Sequence, residues 1–228
     1  MAKTYLDIIN IALRDVNEVP LTATIFASPR GIQATVKEMT NRAYADILNY
    51  SKEWPFLSSS ETSLLNIDTV EGTQEYLFPE GIDSIDWNSF YLRSTDGNVG
   101  QPLQPIDVDF YTRYMRNSDL DNADGGVPMF AYRTKSNNGF GLSPIPDDRG
   151  YTVSYAAWAE PTLLVNATDV IAIPERYYNV LISRVRYYLW MFRENAQQAS
   201  FALNEYETGL QQMHRDLVEK QSLNMRAV

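Results

Sequence analysis

The tetrapeptide Glu53-Trp54-Pro55-Phe56 divides the sequence into two kinds of pattern. The residue before a proline is pushed out of the α region, so a helix arriving here must stop. Upstream, apolar residues recur at helical spacing. Ile32, Val36, Met39, Ala43, Ile47 and Tyr50 form the stripe of a second helix that runs to about Lys52, with Ser28 as its N-cap and Pro29 in its first turn. A first helix over residues 4–18 carries Tyr5, Ile8, Ile9, Ala12, Leu13 and Val16 on one face. Thr4 caps it, Asp7 stands in the capping-box position, and Pro20 limits its continuation into a loop over 20–27.

Downstream of the tetrapeptide, from Ser60 to Tyr155, short apolar or alternating segments are separated by Gly, Pro, Asn and Asp, the pattern of strands and hairpins. Strands are expected over 63–67, 74–79, 84–93, 99–103, 129–134, 139–142 and 151–158, with Thr95-Asp96-Gly97-Asn98 as a hairpin turn. One helix is inserted over 107–115, acidic at its start and basic at its end, as the helix dipole favours. After it, 117–127 reads as a polar, mobile loop.

Beyond Pro174 the period returns to helical. Tyr178, Leu181, Ile182, Val185, Tyr188, Leu189 and Phe192 mark one stripe; Ala199, Ala202, Leu203, Tyr206, Leu210, Met213 and Leu217 mark another. A single helix through both would be about 70 Å long, so a break at Glu194-Asn195 and an αα-hairpin are expected. Each helical pair needs a partner for its stripe, so the two ends of the chain must meet. The expected fold is α+β: a helical bundle built from N- and C-terminal helix pairs, with an inserted antiparallel β-rich sandwich or barrel-like region. Its parts are an N-terminal helical pair (1–57), a β-rich region with one inserted helix (58–165), and a C-terminal helical hairpin and tail (166–228) packing with 1–57.

Composition limits the chemistry. The 228 residues include 19 Lys and Arg, 29 Asp and Glu, and no Cys, for a formal net charge of −10. That sign repels phosphate and disfavours wrapping of DNA or an anionic membrane surface. Lack of cysteine excludes disulfides, thiolate zinc sites, Cys nucleophiles and iron–sulfur clusters. No apolar run reaches the roughly 18 residues of a membrane span, and Asp7, Asn10, Arg14 and Asp15 interrupt the start, so a soluble protein without a signal peptide, made in the cytoplasm, is expected.

Candidate chemical motifs fare poorly. The single histidine, His214, lies in the last helix with no serine or carboxylate arranged around it in sequence, and reads as a surface or partly buried helix residue. Asp119, Asp121, Asn122 and Asp124 before Gly125 partly resemble a calcium loop, but Ala123 and Phe130 occupy ligand positions, so a solvated turn fits better. Asn138-Gly139-Phe140-Gly141 lacks the third glycine and following helix of a dinucleotide site. Acid pairs suited to a glycosidase are guaranteed by 29 carboxylates and discriminate nothing. No catalytic, cofactor-binding or metal-ligating residue is therefore assigned.

The aromatics say more. Tyr177, Tyr187 and Trp190 fall outside the core stripe of their helix and need a second surface, either a protein interface or a broad contact with the first two helices. In the tail, Leu223, Met225 and Val228 with Arg226 follow the last stripe, as a frayed end or as a peptide that orders on a partner. These seven residues, Tyr177, Tyr187, Trp190, Leu223, Met225, Arg226 and Val228, are the candidate interface.

The layout resembles the head-to-tail adaptors of short-tailed phages, the tail tubular protein A type. The features that carry the resemblance are Asp7-Ile8-Ile9-Asn10 continuing to Leu13, the Glu53-Trp54-Pro55-Phe56 corner, the Ile173-Pro174-Glu175-Arg176-Tyr177 helix opening, and Tyr206-Glu207 in the last helix. The resemblance implies a structural virion protein, not an enzyme and without cofactors. It implies a ring of twelve copies joining the phage portal protein to a tail nozzle of the tail tubular protein B type, with tail fibres as a further partner. The helical bundle and C-terminal segment would meet the portal, the β-rich part the nozzle, and DNA would pass through without specific binding during ejection. An acidic lumen that does not grip phosphate fits that role. The rival from another class is a carbohydrate-binding or glycan-hydrolysing phage tail protein, suggested by tryptophans and tyrosines beside a β-rich middle.

Overall fold

The computed structural model describes residues 2–59, 64–94, 100–121, 125–136 and 138–219. It divides into two compact units, one from residues 1–57 and 161–228 and the other from 58–160.

The first unit is helical. In α1 (Tyr5–Asp15) a capping box closes the start: the Asp7 amide donates to Thr4 Oγ1 at 3.3 Å and the Thr4 amide to Asp7 Oδ2 at 2.9 Å. The Thr4 amide, with help from the Thr4 hydroxyl, holds the Asp7 carboxyl below its usual range. Helix α1 ends earlier than expected because Val16 caps it and Asn17 turns the backbone to φ +56°. Helix α2 (Ile32–Leu48) begins later than the Ser28-Pro29 signal indicated. Gly31 takes φ +54°, a left-handed conformation that no helix can run through, so the first turn forms only after it. Tyr50 lies past the C-cap Asn49 and is half exposed instead of completing the stripe.

After a 3₁₀ turn over Glu175–Tyr177 come α5 (Tyr178–Phe192) and α6 (Ala196–His214), continued by a π turn over Arg215–Glu219. The break falls where expected: Glu194 adopts φ +56° and the Asn195 side chain accepts the Gln198 amide at 3.1 Å. Gly209 lets α6 approach α5 closely, since a Cβ there would stand 3.0 Å from Val180 Cγ2. Tyr5, Ile8, Leu13, Val36, Ile47, Trp54, Leu181, Val185, Leu189 and Met213 share one core. Phe192, expected in the stripe, is 57% exposed, because it sits in the final turn of α5, at the turn end of the hairpin where the helix runs out.

The second unit contains two four-stranded sheets and a two-stranded ribbon. Its strands are β1 (Leu65–Asp68), β2 (Glu75–Leu77), β3 (Ile82–Ile85), β4 (Tyr91–Ser94), β5 (Gly100–Pro102), β6 (Gln104–Ile106), β7 (Phe130–Arg133), β8 (Gly139–Ser143), β9 (Tyr151–Tyr155) and β10 (Ala157–Ala159). The sheet orders are β1-β9-β4-β5 and β2-β8-β7-β6, with β3 paired to β10; every pairing is antiparallel except β6 with β7. Strand β9 alternates buried and half-buried residues, while β8 is buried at every position. Gly141 is required there because the Tyr132 ring lies where a Cβ would be. Phe90, Leu92, Phe140, Leu142, Tyr151, Val153 and Tyr155 form a core of this unit's own.

The α+β class, with terminal helix pairs and an inserted β region, is the observed one; among the described residues no closed barrel forms. Several elements differ from expectation. The strand expected over 84–93 is two strands of different sheets, separated by a 3₁₀ turn over Trp87–Ser89 in which the Asp86 carboxylate accepts the Asn88 amide at 3.0 Å. The segment 151–158 is likewise shared between β9 and β10. Strand β6 was not among the expected strands; it carries Pro105, whose missing donor costs nothing at a sheet edge. Inserted helix α3 (Val108–Tyr114) is capped by Asp107, and a second helix, α4 (Arg116–Asp121), replaces part of the expected loop. The 95–98 turn lies outside the described residues.

Candidate functional site

The helical unit is braced by charged contacts between its distant segments. Arg184 Nε donates to Asp46 Oδ2 at 2.7 Å, and the Tyr188 hydroxyl donates to the same oxygen. The guanidinium lies 4.7 Å from the Tyr188 and Tyr206 ring centroids and 5.1 Å from that of Tyr187. Burial works against the Arg184 charge, but the Asp46 hydrogen bond together with the charge interactions with Asp46, Tyr188 and Tyr206 outweighs it and holds the pKa above the ordinary value. Burial also pushes the Tyr206 hydroxyl up to about 12. Arg186 pairs with Asp15 at 2.6 Å and Arg193 with Glu18 at 2.6 Å, fixing α5 against the end of α1.

Near these braces, large apolar side chains are exposed around the turn that joins α5 and α6. Met191, Phe192 and Phe201 are each more than half exposed, and Trp190 is partly exposed beside a hollow of about 260 Å³ that Phe201, Gln198, Glu205 and the Asp15–Arg186 pair also line. Exposed apolar side chains of this size make the hairpin turn a candidate contact surface. The expected interface residues are distributed unevenly around it. Trp190 and Tyr187 are partly exposed on α5, whereas Tyr177 is 7% exposed, within the core, with its hydroxyl donating to Asp216 at 3.2 Å. Leu223, Met225, Arg226 and Val228 lie outside the described residues. Sequence reasoning missed Met191 and Phe201. Phe201 lies two positions beyond Ala199 and one before Ala202 on α6, off the stripe those residues define, and that offset was the available signal.

Reactive groups are placed for packing. His214 meets Tyr50 and Trp54 edge-on, at 5.5 and 5.9 Å, with Nδ1 3.5 Å from Glu219. Asp119 and Asp121 are in α4, and Asp119 is 8% exposed rather than in a solvated turn. Among the described residues no group of three His, Cys, Asp or Glu could hold a metal, and no helix is long and apolar enough to cross a membrane.

Charge is divided between the units. Residues 58–160 hold six of the 19 Lys and Arg but 16 of the 29 Asp and Glu, so the β unit carries the whole formal −10, while the helical unit is balanced at 13 of each sign.

The helical unit thus exposes large apolar side chains at its hairpin turn, while the β unit is strongly acidic. The chain belongs to the SU10 adaptor protein family, whose model matches residues 3–227. It is thus a phage adaptor, a structural protein of the virion tail, as the resemblance seen in the sequence implied. Comparison with curated proteins finds no match.

Proposed function

We propose that copies of this protein form a ring, twelve in number, that joins the portal of a phage capsid to the tail nozzle and walls part of the DNA channel. The helical unit and residues 220–228 face the portal; the β unit faces the nozzle. The observation that carries this reading is the adaptor family match over nearly the whole chain. The charge division supports it, because a unit with no net charge and a unit bearing −10 suit two different neighbours. A heterologous ring also accounts for a subunit that exposes Met191, Phe192 and Phe201, since each copy can cover the next. An acidic wall repels phosphate, so DNA slides without being gripped.

Electron microscopy of the protein mixed with its portal tests the reading. The expected result is a closed ring seated on the portal by its helical end. A protein that stays monomeric in the presence of portal, or that seats by its β unit, overturns it.

A further inference from the structure

A cleft of about 680 Å³ opens on the β unit, a volume ordinary for a small-molecule site. Its apolar side is made by Trp87 with Pro105, Ile106 and Val108. Trp87 is the outer member of a pile of three nearly parallel rings. Its centroid is 5.1 Å from that of Phe90 at 7°, and Phe90 is 5.0 Å from Tyr155 at 8°. Phe90 and Tyr155 are buried, and Phe78 meets Trp87 edge-on at 6.1 Å. The indole is held from behind and from the side, and its remaining surface presents a flat apolar platform that needs no ordering when a ligand arrives.

Four exposed charged groups stand around this platform: Asp107 and Asp109 at the start of α3, Arg133 at the end of β7, and Lys135 just beyond it. Asp107 uses Oδ1 to accept the Asp109 amide at 2.7 Å. Arg133, Lys135 and Asp109 have no side-chain partner among the described residues. The lining therefore offers two groups that only accept, two that only donate, and no net charge. An acidic peptide would set its carboxylates against Asp107 and Asp109. A proline-rich peptide supplies carbonyl acceptors and leaves both aspartates without donors. A sugar ring meets every requirement: its C–H face lies on the indole, and each hydroxyl both donates to a carboxylate and accepts from a cation.

The groove is longer than one sugar. Val108, Thr134 and Lys135 also line an adjoining hollow of about 450 Å³ that carries Gln74, Thr112, Arg116 and Ser136. We propose that this groove is a binding site for an uncharged oligosaccharide, with Trp87 as the stacking platform and Asp107, Asp109, Arg133 and Lys135 as the hydroxyl readers. This activity is separate from ring assembly.

The test is calorimetric titration of the full chain with β1,4-linked glucose, β1,4-linked N-acetylglucosamine and α1,4-linked glucose, from single sugars to hexasaccharides. At least one series should bind, with affinity rising about tenfold from disaccharide to hexasaccharide, and Trp87→Ala and Asp109→Asn should each lower it about tenfold. Trp87→Ala disturbs the ring pile, whereas Asp109 is exposed, so Asp109→Asn should keep the melting temperature and separate lost binding from lost folding. The proposal fails if no series binds at millimolar concentration, if Asp109→Asn and Lys135→Ala bind as tightly as the unaltered chain, or if hexaglutamate or hexaproline binds in place of every saccharide.

Discussion

Trp54 shows how one side chain fixes a corner of the molecule. It is fully buried, its Nε1 donates to the Ile47 carbonyl at 3.0 Å, and its ring stacks on Phe56 at 5.5 Å and on Tyr50 at 6.4 Å. Truncating such a residue to Ala typically costs about 3 to 5 kcal/mol. Trp54→Ala is thus expected to lower the melting temperature of the isolated subunit markedly; unchanged melting with lost assembly would instead make Trp54 an interface residue. Asp147 acts through its charge. Burial raises its pKa, but hydrogen bonds from the Arg149 side chain at 2.6 Å and the Tyr151 hydroxyl at 2.8 Å, with the Arg149 amide, outweigh burial and hold the carboxyl below its ordinary range. A depressed carboxyl contributes stability that is present above the unfolded value of about 3.9 and lost as pH falls through the folded value. Asp147→Asn should therefore melt lower than the unaltered chain at pH 7, with the gap narrowing towards pH 3; a constant gap across that range refutes the linkage. At this scale the role of Trp54 was legible because Pro55 forces a corner that needs an anchor. The exposure of Tyr50 and Phe192 was not, since periodicity records the direction a side chain takes and not where its cover ends.

At the scale of elements, the α5–α6 hairpin presents the surface most open to test. Met191→Glu with Phe201→Glu places charge on a patch already in water, so the subunit should melt within a degree or two of the unaltered chain, yet fail to form rings in sedimentation. Rings formed at the same concentration would show the patch to be idle surface. Leu223, Met225 and Val228 follow the last stripe, and ordering a free terminus costs roughly 1 to 2 kcal/mol per residue, a cost that a groove on a portal could offset. Deleting residues 222–228 should leave melting unchanged and weaken portal binding; equal binding makes the tail a frayed end. The hairpin break was legible because Asn195 is a good cap and one helix would be too long. The division of 84–93 was not, because Asp86 ends β3 by a local side-chain bond that outcompetes the ladder, and the alternation on either side looks continuous.

For the molecule as a whole, the net charge of −10 was legible from composition, but its confinement to one unit emerges only once residues 58–160 are seen to close on their own core. The candidate interface was partly legible for a related reason: aromatic excess on α5 pointed to a second surface, while Tyr177 turned inward because it opens the helix next to the core. Incubated with polymeric glycans, the protein should release no reducing ends; cleavage abolished by a single Asp or Glu substitution would overturn the structural assignment. The helical unit is tied by bonds between remote positions: the Lys3 amide donates to the Tyr178 hydroxyl at 3.0 Å, and Asn41 exchanges two bonds with Leu164, at 2.8 and 3.0 Å. On the ribosome, α1 and α2 emerge first and wait while the β unit is synthesised, roughly 5 to 20 s at ordinary elongation rates. Their stripes find cover only when α5 and α6 follow. A chain released before that point has no finished helical unit to offer a neighbour. The order of synthesis thus leaves the apolar stripes of the first two helices without cover until the last two arrive, and only the completed chain holds the whole helical core.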